Sequence, residues 1–539
     1  MRSGALFAVA LALIVSLESS CVTDRDVARY DYVVVGAGAA GSVLAHRLTE
    51  DPATSVLVLE AGGPDDDPRI RQPSAFRQLL DSPFNWGEST VEEPHLNGRR
   101  VPLPRGRGWG GGGTISAMVY VRGHAWDFDR WEQLGNPGWG YDDVLPYFKK
   151  AENLEGGASE YHGVGGPQNV AYPRWVPPIS GAFVQAALQA GLPRNEDFNG
   201  ERQEGVGFYQ LNQKDGERHS AAGAYLRPAL ERDNLTVENH ARATRVLFEV
   251  RRAVGVSYVQ DERTHEVRAS REVILSAGTI GSAQLLLLSG VGPAEQLSAL
   301  GIAVVHDLPG VGENLQDHPR VALTYASAQP LGLTDAEQER AQAEYEEERT
   351  GPFSSNGVGA GAFVRLSPED PAPGIQIILT ANPAANTFSL QTALMHPGSR
   401  GSLRLRSTDP TETPAIEVNY LAEESDLEGL VQGLEVARRI GGAEALAPFR
   451  GDELGPGPQG WEPEALREYV RDNVGTFFHP IGTCRMGTDE GAVVDAELRV
   501  RGVEGLRVID ASVMPTLLSG ATHAATVMIA EKGADLLIP

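Results

Sequence analysis

Cysteine is almost absent from this chain, whose 539 residues include only Cys21 and Cys484. A disulfide framework is therefore excluded, and no disulfide can form at all if Cys21 is removed or lipidated. The sequence also lacks a Cys-x-x-Cys pair and a histidine cluster, so we expect no metal site. Core packing alone must then stabilise the fold.

Positive charge is scarce as well, with 46 Lys and Arg against 72 Asp and Glu and a formal net charge of −26. No run of basic residues occurs, which argues against nucleic acid or an anionic membrane surface as a partner. The acidity is typical of a solubilising surface. A chain of this length is too long for one compact core, so we expect two domains.

Long hydrophobic runs are confined to the N-terminus. Arg2 precedes an apolar run from Ala5 to Leu17, which has the length of a signal-peptide hydrophobic region and is short for a membrane span. Residues 17–21 then resemble a bacterial lipoprotein cleavage site, although Glu18 departs from the usual pattern. We therefore expect residues 1–21 to be a signal peptide that directs export, with a possible lipid anchor to a membrane on Cys21. The expected location is periplasmic, membrane-anchored or extracellular; the alternative is a cytoplasmic protein whose leader is not functional.

The best-defined pattern lies in residues 31–60. Tyr32 to Val35 and Val56 to Leu59 have the length and β-branching of buried strands, and the small residues of Ala39 to Leu48 between them predict a helix. Strand, helix and strand in this order are typical of a unit that binds a dinucleotide.

Three glycines and one acid in this unit have mechanical roles. Gly36 permits a tight strand-to-helix turn, Gly38 lets the backbone approach a pyrophosphate, and Gly41 lets the helix pack on the strand. The helix N-terminus faces the phosphates with unpaired N–H groups. Glu60, at the end of the second strand, is placed to accept hydrogen bonds from a ribose.

A second glycine-rich stretch spans residues 104–123 and contains four consecutive glycines at 110–113. Such a run offers bare backbone N–H groups to an anion or a flat ring. Alone such a run is more often a flexible loop, but its position between two arginines and an apolar strand-like run makes a binding role equally consistent with the sequence.

The rest of the chain alternates strands and helices. Leu235 to Glu249, Ala253 to Gln260 and Val267 to Ser276 predict a small antiparallel sheet. Residues 319–474 are mixed in polarity and offer no clear charged anchor for a substrate. Within the chain we expect helices at 141–151, 282–289, 335–349, 424–440 and 522–537 and further strands at 321–326, 375–379 and 402–406.

Five stretches together resemble the glucose–methanol–choline (GMC) oxidoreductases, which are FAD-dependent: 36–60, 104–123, 276–292, 308–318 and the paired segments 478–487 and 507–515. The resemblance covers residues 31–538. It implies an α/β fold with a doubly wound, Rossmann-like FAD-binding domain, discontinuous in sequence, at 29–318 and 475–539. It also implies an α+β substrate-binding domain with an antiparallel sheet at 319–474. The segment 478–487 is most similar to choline dehydrogenases and aryl-alcohol oxidases.

This resemblance implies FAD as the cofactor, an alcohol as the small-molecule substrate, and O₂, a quinone or a redox protein as the electron acceptor. It implies cofactor contacts from Gly36, Gly38, Ala39, Gly41, Glu60, Ala61, Arg107, Gly110, Gly111, Ser116, Met118, Val119, Ala243, Asp510, Ala511 and Ala521.

His479 is the expected catalytic base. On its own, a histidine beside two aromatic residues is more often packed than catalytic; the resemblance implies that it takes the hydroxyl proton while hydride moves to flavin N5. The chain departs from the family at Ala521, where relatives place the second catalytic residue, a His or an Asn. His523 is the candidate assistant, and Ser116 replaces an Asn or His near the flavin.

The substitution at Ala521 leaves alternatives open. One is a GMC-fold enzyme with non-redox or light-driven chemistry, such as a lyase or a fatty-acid decarboxylase. Another is a flavin- or lipid-binding protein without turnover. The expected function is alcohol oxidation by hydride transfer to FAD.

Overall fold

The computed structural model describes residues 27–538, so the predicted leader and Cys21 lie outside the described residues. A first, seven-stranded sheet contains the dinucleotide-binding unit. Arg29–Val35 pairs in parallel with Val56–Leu59 and Arg263–Leu275, and the three strands of residues 242–275 pair with one another in antiparallel fashion. Across the sheet the order is Leu235–Glu238, Val56–Leu59, Arg29–Val35, Arg263–Leu275, Arg252–Gln260 and Arg242–Glu249, with Leu506–Val508 beside the end of Arg263–Leu275.

The first helix, Ala39–Leu48, and the strand Val56–Leu59 have the predicted bounds. Every residue of that strand is buried, as expected for a parallel strand covered on both faces. The C-terminal helix, Thr522–Asp535, packs against the first helix. Arg47 joins them through ion pairs to Glu531 and, at 2.7 Å, to Asp535.

The predicted continuous strand at 235–249 is wrong, because the chain bends at His240, whose φ is 54°. The backbone N–H of Ala241 donates to the carbonyl oxygen of Glu60 at 2.8 Å and so holds the bend against the first sheet. Leu235–Glu238 therefore pairs with Val56–Leu59 in parallel. The expected small antiparallel sheet is an extension of the first sheet.

A second, seven-stranded antiparallel sheet is built mainly from residues 319–474, as predicted for a substrate domain. Gly205–Phe208 also belongs to it, although the predicted boundary places that segment in the other domain. Across the sheet the order is Arg450–Gly455, Pro319–Ser327, Thr387–Leu394, Ile375–Asn382, Ala360–Val364 and Gly205–Phe208, with Gly475–Thr476 beside Pro319–Ser327.

Helices cover both sheets, and the longest, Glu424–Gly442, packs on the second sheet. No helix within 27–538 is long and apolar enough to cross a membrane. The remaining α-helices are Pro68–Arg71, Phe76–Leu79, Gly112–Ile115, Ala125–Gln133, Tyr141–Ala151, Pro178–Gln189, Arg227–Ala229, Gly278–Leu288, Ala294–Ala299, Asp335–Glu348 and Pro463–Asn473. Short strand pairs are Glu88–Ser89 with Pro102–Leu103, Val119–Tyr120 with Gln210–Leu211, Glu152–Leu154 with Gln168–Val170, Gln213–Lys214 with Glu217–Arg218, Val291–Gly292 with His306–Asp307, and Ser402–Arg404 with Ala415–Glu417.

Candidate active site

A cavity of about 730 Å³ lies between the two sheets. Ligands of open α/β sheets bind beyond the carboxyl ends of the strands, which is where this cavity begins. Nearly all the predicted site residues line it; Gly41 and Gly110 do not. The lining is drawn from 35–40, 59–61, 76–88, 104–119, 212, 241–243, 276–288, 320, 358, 376–391, 410–414, 477–480, 510–511 and 521–526.

The glycine turn after the first strand has no room for side chains. Gly36 has a φ of +101°, and a Cβ there would stand 2.5 Å from the carbonyl oxygen of Ser276. A Cβ on Gly41 would stand 1.8 Å from the carbonyl oxygen of Gly36. Gly41 thus packs against the backbone of the turn on the side away from the cavity, whereas Gly36 and Gly38 line the cavity.

Replacing Gly41 with alanine is expected to abolish FAD retention, because the turn must open to admit the methyl group. The control is Gly181→Ala: this glycine lies within the helix Pro178–Gln189, and a Cβ there meets nothing within 4 Å. The control should keep its FAD and gain about 0.5–1 kcal/mol of stability. The measurement is the ratio of flavin to protein absorbance after purification. A Gly41→Ala protein with full flavin content would contradict this account of the turn.

Glu60 is buried and receives three backbone hydrogen bonds. Its carboxylate accepts from the N–H groups of Ala37 at 2.8 Å, Gly62 at 2.7 Å and Gly108 at 3.0 Å. It therefore ties the glycine turn to residues 104–123. A carboxylate has about four acceptor sites, so one remains for a ribose hydroxyl, and the ribose contact stays a prediction.

Bare backbone and two helix N-termini make the cavity suitable for a dinucleotide. A Cβ on Gly111 would stand 2.9 Å from the α-carbon of Gly38, so the two glycine stretches meet without side chains. Neither Gly38 nor Ala521, the residues that cap the first and C-terminal helices, makes a side-chain cap hydrogen bond. The unpaired N–H groups of both helices are thus available to phosphate and to ring carbonyl oxygens.

His523 lines the same cavity as Ala521, although an offset of two residues on a helix would separate their side chains. The reason is that the helix begins at Thr522 and Ala521 is still extended. A Cβ on Gly113 would stand 2.8 Å from His523 Cε1, so the imidazole lies against the glycine run. Its Nε2 atom is buried without a hydrogen-bond partner among the described residues. Such an orphaned group fits a bound ring with polar edges.

His479 is held between aromatic rings at the other side of the cavity. Its ring packs edge-on against Phe477 and His318, with centroids 5.2 and 5.1 Å away. Its Nδ1 atom lies 2.9 Å from Nδ1 of His318, whose Nε2 atom lies 3.0 Å from the carbonyl oxygen of Met395. Burial, assisted by the charge of Arg105, lowers the pKa of His479 to about 3, so the imidazole is neutral at pH 7.

Asp317 fixes the backbone of His479. Its buried carboxylate accepts from the N–H of His479 at 2.8 Å and from the hydroxyls of Tyr420 at 2.6 Å and Thr476 at 2.5 Å. The backbone of His479 is therefore held by Asp317, which does not line the cavity.

Ser116 has its hydroxyl engaged by protein groups. The hydroxyl donates to the carbonyl oxygen of Gly113 at 3.2 Å and accepts from the N–H of Met118 and from Arg218, each at 3.2 Å. Ser116 thus orders the turn that follows the glycine run.

Three residues near the start of the strand Pro319–Ser327 were given no site role from the sequence: Asp317, His318 and Arg320. The signal that could have found the first two is an acid and a histidine directly before an alternating strand, Pro319–Ser327. Arg320 lines the cavity, so the region 319–474 does place a charged side chain there.

A glycine-lined cleft suited to a dinucleotide, below an antiparallel sheet and with a half-buried, neutral histidine at the junction, fits a flavin-dependent oxidoreductase. The chain belongs to the GMC oxidoreductase family, whose N-terminal and C-terminal models match residues 30–320 and 397–530.

Named relatives and a solved structure agree. The chain is 45% identical over 527 residues to the oxygen-dependent choline dehydrogenase of Pseudomonas putida strain GB-1, covering 94% of this chain and 93% of that protein. It is 44% identical to human mitochondrial choline dehydrogenase, covering 97% and 91%. The crystal structure of pyridoxine 4-oxidase from Mesorbium loti superposes with a TM-score of 0.87 and 35% identity, covering 94% and 98%. The protein is therefore an FAD-dependent oxidoreductase that oxidises an alcohol and passes the electrons to an acceptor.

Proposed function

We propose that His479 accepts the hydroxyl proton of the alcohol through its Nε2 atom. The supporting observation is the contact between His318 and His479. The carbonyl oxygen of Met395 can only accept, so Nε2 of His318 carries a hydrogen. Burial keeps the pKa of His318 well below its usual value, so its Nδ1 atom is an acceptor.

His479 must then donate from Nδ1 to His318, which leaves its Nε2 atom with a free lone pair. FAD, when bound, accepts the hydride from the carbinol carbon. The imidazole takes the proton from the hydroxyl, and its edge-on contact with Phe477 helps to orient the ring.

His523 is the proposed second contact to the substrate oxygen, in place of the family residue lost at Ala521. Its Nε2 atom is unpartnered, and burial lowers its pKa to about 4. A neutral imidazole can present one donor to that oxygen.

Two substitutions of His318 test the tautomer. In His318→Leu the acceptor for His479 is lost, and we expect flavin reduction by an alcohol to slow by about 10- to 100-fold, the scale on which outer partners act on the ligands they orient. In His318→Asn the side-chain oxygen can replace Nδ1 as acceptor, and most of the rate should return. The measurement is the anaerobic rate of flavin reduction, with the substrate dissociation constant from its concentration dependence.

If His318 had only a structural role, His318→Leu and His318→Asn would slow flavin reduction equally. That result would contradict the assignment of the hydrogen to Nδ1 of His479. Equal rates in wild type and both variants would contradict it as well.

We also propose that the protein is exported, with Cys21 as a possible lipid anchor. The support is the apolar run from Ala5 to Leu17 and the cleavage-like residues after it. Cell fractionation with mass measurement of the mature N-terminus tests this, and a full-length cytosolic chain would contradict it. O₂, a quinone and a redox protein are the candidate acceptors.

A further inference from the structure

The wall of the cavity beside His479 carries three arginines: Arg77, Arg105 and Arg320. No carboxylate of the described residues lies within 4.0 Å of their guanidinium nitrogens. By contrast, the fully buried Arg122 has such a partner in Glu152, at 2.7 Å. This part of the cavity therefore has an excess of positive charge.

Arg320 is fixed in place by neutral groups. Its Nε atom donates to the carbonyl oxygen of Thr476 at 2.7 Å, and one terminal nitrogen donates to the side-chain oxygen of Gln391. Its guanidinium lies 5.5 Å from the centroid of Phe478, the residue before His479. Burial lowers the pKa of Arg320; the charge of Asp317 acts to raise it, and that of Arg77 lowers it further. The guanidinium has no direct ion pair among the described residues, so it is available to an anionic ligand.

Arg105 adds positive charge close to His479. It donates to the carbonyl oxygen of Phe478 at 3.2 Å, and its charge helps to lower the pKa of His479. Two acids act on its charge: Asp317, which is hydrogen-bonded to His479, Tyr420 and Thr476, and Glu88, whose pKa burial raises to about 7. Neither forms an ion pair with Arg105, and the three arginines outnumber these two acids.

Four other charged residues of the cavity have protein partners. Glu60 accepts from three backbone N–H groups, and Asp510 accepts from two serine hydroxyls and two N–H groups. Arg107 and Arg242 stack on Trp86, with guanidinium-to-centroid distances of 4.9 and 5.2 Å. They lie by the pocket wall at Ala61 and Pro410, to whose carbonyl oxygens they donate.

We propose that the alcohol substrate carries an anionic group, which Arg320 binds while the hydroxyl lies at His479. The positive charges of Arg77 and Arg105, which also line the cavity, add to the attraction for this anionic group. Guanidinium groups bind carboxylate and phosphate through parallel N–H donors, which explains why the wall holds arginines rather than neutral donors. The inference rests on the proposed function, since it places the anion relative to His479.

The charge also argues against a cationic substrate such as choline, although relatives are named for it. Quaternary ammonium groups are bound by open aromatic faces. Here the guanidinium of Arg320 lies over the ring of Phe478, and like charges repel across a desolvated site.

A matched series of primary alcohols tests the proposal on the FAD-loaded protein. Choline and 3,3-dimethylbutan-1-ol share a shape and differ in charge, and 4-hydroxybutanoate and 2-hydroxyethyl phosphate carry anions. We expect the ratio of reduction rate to dissociation constant to be on the order of 10- to 100-fold higher for an anionic alcohol than for the neutral one, the scale of hydrogen bonds to a charged group. Choline should be the poorest. The better of the two anions identifies a hydroxy acid or a phosphate monoester, and either supports the proposal.

Substitutions of Arg320 test whether this residue causes the preference for an anionic alcohol. Arg320→Gln should remove the preference for the anion, Arg320→Lys should keep part of it, and Arg320→Glu should favour choline. Arg499→Gln, at an exposed arginine, is the matched control and should change nothing. The FAD content of all variants should equal that of wild type, which separates an anion site from a cofactor contact.

Butanoate, which cannot be oxidised, gives a readout independent of turnover. It should perturb the flavin spectrum of wild type and Arg499→Gln and bind at least 10-fold more weakly to Arg320→Gln. If the neutral alcohol reduces the flavin with no charge preference and butanoate does not bind, this inference fails while the proposed function stands. If no alcohol reduces the flavin, the proposed function fails, and butanoate binding alone decides the anion site.

Discussion

Replacing His479 with asparagine is expected to lower the anaerobic rate of flavin reduction by an alcohol by about 10²–10⁴-fold, the usual contribution of a positioned general base. The asparagine amide can still donate to Nδ1 of His318, which lies 2.9 Å from the His479 ring in wild type. The substitution therefore removes the proton acceptor with little change in the partner. His95→Asn, at an exposed histidine, is the control.

The pH dependence of this effect has a definite sign. Burial lowers the pKa of His479 to about 3, so the base form persists as the pH falls through the ordinary histidine range near 6.5. The wild-type rate should consequently be similar at pH 6 and pH 8, and the deficit of His479→Asn should be the same at both. A variant within threefold of wild type would show that another group accepts the proton.

Replacing Glu152 with glutamine is expected to destabilise the FAD-loaded protein by about 3–5 kcal/mol, the cost of breaking a buried ion pair from one side. Arg122 and Glu152 are both almost inaccessible to solvent, and their charged atoms lie 2.7 Å apart. The carboxylate also lies 3.0 Å from His162 Nδ1 and accepts from the N–H of Gly163 at 2.8 Å. Glutamine keeps the shape but leaves the Arg122 charge without a counter-ion.

The pKa of Glu152 is lowered, as expected if its ion pair with Arg122 stabilises the fold. Burial acts to raise it, but the hydrogen bond from His162 and the charge of Arg122 outweigh burial and lower it. The stabilisation is thus present above the unfolded-state pKa and is lost as the pH falls through the folded-state value. Urea unfolding at pH 7 measures it. Asp495→Asn, at the exposed pair with Arg499, should cost 1 kcal/mol or less. An equally small cost for Glu152→Gln would contradict this account.

The dinucleotide-binding unit could be predicted from sequence because its determinants are local. Gly36, Gly38 and Gly41 lie within one turn of a strand and a helix whose periodicity is unambiguous, and the structure has the helix Ala39–Leu48 with the predicted bounds. The bend at His240 was not predictable, because it depends on the bond from Ala241 to Glu60, a residue far away in the chain.

The residues at the substrate end of the cavity could not be predicted from the sequence for a similar reason. Arg320 donates to Gln391 across two neighbouring strands of the second sheet, and it lies over Phe478 only after the domains meet. Strand register over such separations cannot be read from one sequence. The proximity of His523 to Ala521 depended likewise on where the C-terminal helix begins.

The central claim is that this protein oxidises an alcohol with His479 as the base. The most direct test is the anaerobic absorbance spectrum of the purified protein while 3,3-dimethylbutan-1-ol and 4-hydroxybutanoate are added, with the aldehyde product quantified. Our account predicts that the flavin band bleaches, that one aldehyde forms per flavin, and that His479→Asn prevents both. A flavin band that stays oxidised with both alcohols, or an unimpaired His479→Asn protein, would contradict it.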